Sequence, residues 1–317
     1  MTRLRIGIDF GGTKIEAVAL NRAGDLLLRE RVPNPGGYTL AIEAIQGLVQ
    51  GIEQELGATG TVGIGVPGSL SPRTGLMRNA NSLWLNGKAF KHDLEAALGR
   101  EIRLANDANC LVLSEALDGA AAGRRSVFGV IIGTGVGGGL VIDGKLVEGS
   151  ARIAGEFGHT PLPWPRNSEF PGETCWCGRS NCLEAWVSGT GFQRAYARSV
   201  GRDVIPAAKI IEGARAGDIK QREAFDDYVD RLARGLAVVA NIVDPDCFVL
   251  GGGMSNVTEL YGALPDRVRH YAFSDVWDGE IVQARWGDSS GVRGAAMLWP
   301  VGRSVGADPS QLVPTLD

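Results

Sequence analysis

Two glycine-threonine turns, each placed directly after an apolar strand-like run, constrain this chain more than any other feature. The first is Asp9-Phe10-Gly11-Gly12-Thr13-Lys14, which ends the run Leu4 to Asp9; the second is the cluster Gly133 to Gly139, which follows Val127 to Ile132. Around the first turn the pattern predicts three sequential antiparallel strands over 4–9, 15–20 and 25–31. From Val127 the same order returns, with a strand, a Gly/Thr turn and a further strand over 140–142. The chain therefore reads as two α/β halves that open alike. Helical spacing predicts helices over 39–56, 108–120, 220–243 and 291–298, and short apolar runs predict strands over 62–66, 102–105 and 248–250. Pro161 to Thr174 reads as an excursion loop, and the tail after Pro300 has no usable pattern.

Both turns have a chemical use beyond reversing the chain. Glycines let the backbone approach a ligand closely, so Gly11, Gly12 and Thr13 offer N–H groups and a hydroxyl to phosphate oxygens, while Asp9 can hold a hydrated Mg²⁺. A plain hairpin would explain the first turn equally well. The second cluster, with five glycines and Thr134, is more permissive than a hairpin needs. Two such loops facing each other would clamp a polyphosphate. Neither fits the P-loop or the dinucleotide fingerprint.

Leu104-Ala105-Asn106-Asp107-Ala108-Asn109 places an amide and a carboxylate between a strand and a helix. As N-caps they would be unremarked. Near phosphate loops, Asp107 could instead accept the proton of a sugar hydroxyl while Asn106 orients the ring. His159 together with Cys175, Cys177 and Cys182 matches the donor set of a closed structural Zn²⁺ site, with no coordination position left for water. Glu156 and Glu184 lie close to these ligands in sequence, and either is a surface carboxylate or is aimed by the metal knot at a substrate hydroxyl.

Size and charge narrow the partners. A chain of 317 residues accommodates two medium domains, and a net charge of −4 without a run of Lys and Arg leaves no footprint for nucleic acid or anionic lipid. No apolar stretch reaches membrane-spanning length and the start runs straight into a strand pattern, so a cytoplasmic location is expected. Three clustered thiols suit metal binding in a reducing compartment, and Cys110 and Cys247 read as core residues.

Taken together, Asp9 to Thr13, Gly65-Val66-Pro67-Gly68, Asn81 to Trp84, Asn106 to Asn109, Gly133 to Gly139, Gly155 to His159, the Cys175 to Glu184 segment and Leu250 to Gly253 resemble the ROK family (repressors, open reading frames and kinases). That resemblance covers nearly the whole chain. It implies an actin-like ATPase (ribonuclease H-like) α/β fold with two domains around a central cleft: 1–118, then 119–291 with the zinc loop, and 292–317 returning to the first. It also implies an ATP- and Mg²⁺-dependent hexose kinase, with Asp107 as catalytic base. Asn81, Asn106, Gly138, Glu156, His159 and Glu184 would hold the sugar, His159 while also binding zinc. Asp9, Gly11, Gly12, Thr13, Lys14, Gly133, Thr134 and Gly135 would face the phosphates, and Gly251, Gly252 and Gly253 the adenosine. The wording of Asn79 to Gly87, Leu162-Pro163-Trp164 and Gly287 to Gly294 resembles the fructokinase branch, so fructose is the expected acceptor, with glucose or N-acetylglucosamine as the alternative. Homodimers are common in the family. Its repressors carry a DNA-binding module before the core, for which the position of Asp9 is expected to leave no room.

Overall fold

The computed structural model describes residues 4–300. Leu4–Phe10 (β1), Lys14–Leu20 (β2) and Leu26–Pro33 (β3) form the expected antiparallel ribbon. β1 and β2 are buried along almost their whole length, which is why they are nearly continuously apolar, whereas the charged, exposed β3 blunts the sheet edge. Tyr38–Leu56 (α1) buries Ala41, Ile45, Val49 and Ile52 and stops at Gly57, whose φ of 60° is a left-handed cap. Gly60–Val66 (β4) then pairs parallel with β1. A small hairpin, Ser69–Leu70 (β5) and Met77–Arg78 (β6), and Phe90–Leu98 (α2) lead to Ile102–Asn106 (β7), parallel to β4, and Asp107–Leu117 (α3).

The second half repeats this plan. Ser126–Ile132 (β8), Val136–Ile142 (β9) and Lys145–Leu146 (β10) are antiparallel neighbours. Helices Glu184–Val187 (α4), Gly189–Val200 (α5), Ala207–Arg215 (α6) and Ile219–Val243 (α7) precede Cys247–Gly251 (β11), which is parallel to β8. Glu259–Tyr271 (α8), Glu280–Gln283 (β12) and Ser290–Met297 (α9) complete it. The strand orders β3-β2-β1-β4-β7 and β10-β9-β8-β11-β12 are equivalent, so the echo of the two turns extends to whole sheets.

α3 and α9 occupy equivalent places in the repeat, and each crosses to the other sheet. Val112 of α3 lies against Gly129 and Gly139 of β8 and β9, while Val292 and Ala295 of α9 lie against Gly7 and Gly63 of β1 and β4. The two helices touch where Gly294 meets the Cys110 carbonyl; a Cβ there would stand only 1.7 Å from that oxygen. Glycine is required for this approach, not for a turn.

Two expectations need revision. The helix expected to reach residue 120 ends at Leu117, because the Glu115 carboxylate folds over the next turn and a Cβ at Gly119 would lie 2.2 Å from it. The glycine cluster is a turn only over Gly133–Gly135; Gly137, Gly138 and Gly139 are paired strand residues, kept small by Ala108, Gly155 and Asn109 packed over them. The proline-rich segment is the expected loop, largely exposed, but it is anchored through Glu169, which is 1% exposed and bridges Arg231 and Arg234 of α7. Helices α2, α4, α5, α6 and α8 carry no such signal in the sequence pattern. Cys110 and Cys247 are fully buried, as expected. The tail after Pro300 lies outside the described residues.

Candidate active site

The repeat places both glycine turns and the start of α3 around one cleft. Asp9 ends β1; the turn that follows is braced by Asn34, whose Nδ2 donates to the Gly11 carbonyl at 2.7 Å. Asn106 caps α3 by accepting the Ala108 N–H at 2.9 Å, and its Nδ2 donates to the Gly68 carbonyl at 3.3 Å. Asp107, the first helical residue, accepts the same N–H at 2.8 Å through Oδ1, which leaves Oδ2 for another partner. Capping and a role in chemistry are thus compatible here.

A cavity of about 250 Å³ brings together Asp9, Gly11, Gly12, Asn81, Asp107 and Gly252 of the expected residues, and adds Asp288 from the segment before α9. Burial and the neighbouring Asp107 charge push the Asp9 carboxyl up to about 6. Burial also raises Asp107, against the hydrogen bonds it accepts. Carboxylates gathered without a cation among them suit a bound Mg²⁺ with its phosphates. Thr13 is exposed on the turn, and the ammonium of Lys14 turns to Glu16 at 3.5 Å, so neither lines this cavity.

A larger cavity, about 530 Å³, adjoins at Gly252-Gly253 and is lined by Gly133, Thr134, Gly253 and residues of α5 and α6. Its turn is fixed from α5: Gly189 N–H donates to the Gly133 carbonyl at 2.8 Å and Thr190 Oγ1 to the Thr134 carbonyl at 2.7 Å. The N-terminus of α5 therefore opens on the cavity beside the glycine turn, an arrangement that favours anions. Gln193, Glu212 and Asn256 supply polar groups in a mostly apolar lining. Sequence spacing held no signal for these three; Asp288 lay inside the Gly287 to Gly294 segment, recognised by wording alone. Gly135 and Gly251 flank the cavities without lining them.

On the other side of Asp107, Gly155 approaches Gly138 so closely that a Cβ on either would meet the other's carbonyl oxygen, at 2.4 and 2.6 Å. Glu156 follows this contact; partial burial raises its carboxyl, the His159 charge opposes, and Asp107 and Glu184 add repulsion. His159, Cys175, Cys177 and Cys182 present donor atoms all within 4.8 Å of one another. Cys175 Sγ lies 3.7 Å from His159 Nδ1, and Cys177 Sγ 3.6 Å from Cys182 Sγ. Ligands about 2.3 Å from a tetrahedral Zn²⁺ stand about 3.8 Å apart, so this donor set fits zinc. Glu184 is buried and bridges the knot to the glycine turn: Oε1 accepts from Trp176 Nε1 at 2.6 Å and Oε2 from the Val136 N–H at 2.8 Å.

Two ribonuclease H-like sheets with a carboxylate-lined cleft between glycine turns define the actin-like sugar kinase class. Comparison with known proteins agrees. The ROK family pattern matches residues 5–301, and the chain belongs to the ROK family as a sugar kinase. It is 41% identical over 297 residues to an N-acetyl-D-glucosamine kinase from Photobacterium profundum, covering 92% of this chain and 98% of that one. The ROK hexokinase from Thermus thermophilus superposes with a TM-score of 0.82 at 32% identity, covering 93% and 97% of the two chains. A ROK glucokinase from Streptomyces griseus in complex with glucose and AMPPNP gives 0.75 at 29% identity, with 93% and 98% covered.

Proposed function

We propose that the protein transfers the γ-phosphoryl group of ATP to the primary hydroxyl of N-acetylglucosamine, giving ADP, the sugar phosphate and a proton. The observation that carries the transfer is the adjoining pair of cavities, one with room for a nucleoside beside Thr134 and Gly253, the other holding Asp9 and Asp107. Asp107 takes the hydroxyl proton through Oδ2 as the oxygen attacks phosphorus and the bond to the ADP oxygen breaks. Gly11 and Gly133 spend their N–H groups inside the turns, on the Lys14 and Gly135 carbonyls, so the N–H groups of Gly12, Thr13, Thr134 and Gly135 orient the phosphates. Asp9 would hold Mg²⁺, which neutralises phosphate charge when bound. Asn81, Asn106, Glu156 and His159 surround the sugar, with Nε2 of His159 free for it because Nδ1 faces the cysteines. Glu184 reaches the sugar only by exchanging its Trp176 contact. His159, Cys175, Cys177 and Cys182 would hold zinc as a staple without a chemical step.

The acceptor assignment rests on the N-acetyl-D-glucosamine kinase relative, matched along nearly its whole length. It replaces fructose, which rested only on similarity of wording. A cytoplasmic location, where ATP and free sugar meet, belongs to the same reading; among the described residues no helix is long and apolar enough to cross a membrane. Coupled ADP release with ATP and Mg²⁺ against N-acetylglucosamine, glucose, mannose and fructose tests it. Highest kcat/KM on N-acetylglucosamine is expected; another preferred sugar overturns the acceptor, and no turnover on any overturns the reaction.

A further inference from the structure

Glu115, near the end of α3, is fully shielded from solvent, and the phosphoryl-transfer scheme does not use it. Its Oε1 accepts the Trp286 N–H at 3.0 Å and the Ser290 hydroxyl at 2.7 Å. Oε2 accepts the Arg285 N–H at 2.9 Å and the Ala120 N–H at 2.8 Å. Four donors converge on the carboxylate, the Ser290 hydroxyl sharing its one proton with the Gly287 carbonyl at 2.9 Å. Three of them belong to the segment Arg285 to Ser290, which joins β12 to α9. One turn further on, Asp118 accepts from Trp286 Nε1 at 3.0 Å and from Arg293, whose guanidinium lies 3.9 Å over the Trp286 ring.

This clamped segment carries Gly287 and Asp288, which line the cavity of Asp9 and Asp107. The Asp288 side chain has no hydrogen bond or ion pair among the described residues. Its position is therefore set by its backbone, which Glu115 holds from α3 while the Ser289 N–H to Trp286 carbonyl bond shapes the turn.

We propose that Glu115 is a positioning residue, holding Arg285 to Ser290 so that Asp288 stands in the cavity wall where it meets the Mg²⁺ face of the nucleotide. The proposal rests on reading that cavity as the phosphoryl-transfer site, but not on Asp107 being the base. A glutamine at this position could accept through only one atom and would set an NH₂ against backbone N–H donors, loosening the segment without changing side-chain size.

The test measures ADP affinity by calorimetry with Mg²⁺ and with EDTA, and sugar affinity in parallel, in wild type, Glu115→Gln, Asp288→Asn and the double variant. Each single variant is expected to lose about tenfold of the Mg²⁺-dependent gain in ADP affinity, the double variant no more than either, and sugar affinity to hold. If Glu115→Gln does not fold, Ser290→Ala removes one segment donor and should lose a smaller part of the same gain. Full Mg²⁺-dependent gain in Asp288→Asn, or losses that add in the double variant, would overturn the proposal. A wild-type enzyme that binds no Mg-ADP would overturn the site reading itself.

Discussion

At the first residue of α3 one carboxylate shares the helix-capping N–H and still keeps an oxygen toward the cleft. Asp107→Asn keeps that cap, so kcat should fall about 10²- to 10⁴-fold while the melting temperature holds; near-normal turnover of the purified variant would refute the base. Asp9 carries a different consequence. Its carboxyl is raised from 3.8 to about 6 in the folded enzyme. The folded state therefore holds the proton more tightly than the unfolded chain, and this stabilisation, complete below pH 4, is lost as pH rises to 6. Asp9→Asn should stabilise the nucleotide-free enzyme at pH 7.5 by an amount on the order of 2 kcal/mol while lowering activity, and urea denaturation at pH 7.5 and pH 4 measures it. Both residues were legible in the sequence because each stands at a strand end beside a distinctive turn. Their mutual repulsion was not, since 98 positions separate them and only the sheet pairing β1 to β4 to β7 brings them together.

The elements that cross between the sheets depend on missing side chains. Gly294→Ala places a methyl group into the Cys110 carbonyl. It should cost about 1–3 kcal/mol or more in chemical denaturation, through overpacking at the α3–α9 contact. The loop carrying the His159–Cys182 cluster would be held at two points, by its cysteines if they bind zinc and by the Glu169 carboxylate between Arg231 and Arg234. Cys177→Ser should release the metal and lower the melting temperature, and a stable, active, metal-free variant would end the staple reading. Glu169→Ala leaves two arginines without their buried partner and should destabilise by about 3–5 kcal/mol. Composition and spacing singled out His159, Cys175, Cys177 and Cys182, whose donor atoms do gather within 4.8 Å. They could not show that the loop between them is pinned to α7, because a lone Glu among prolines looks solvated until its partners, more than 60 positions away, are folded onto it.

Across the whole molecule the two lobes meet at the α3–α9 crossing on one side and at the cleft mouth on the other. There Arg78 of β6 donates to the Ala151 carbonyl of the loop before Glu156. Arg78→Ala should raise sugar KM several-fold with a smaller effect on kcat, and ATP hydrolysis without sugar should stay slow in the wild type if sugar binding closes the lobes. Steady-state kinetics with and without sugar checks both. The repeated strand, turn and strand order made the two-lobed α/β fold legible from the sequence alone, as did the thiol cluster and the carboxylate at the head of α3. Such features are local: their chemistry is written within a dozen residues. The joining of two cavities at Gly252-Gly253, the bridging of the cysteine loop to the glycine turn by Glu184, and the hold of Glu115 on the Asp288 segment were decided only by tertiary structure. In each, a contact joins residues far apart in the chain, and no local pattern encodes which distant donor a buried carboxylate will find.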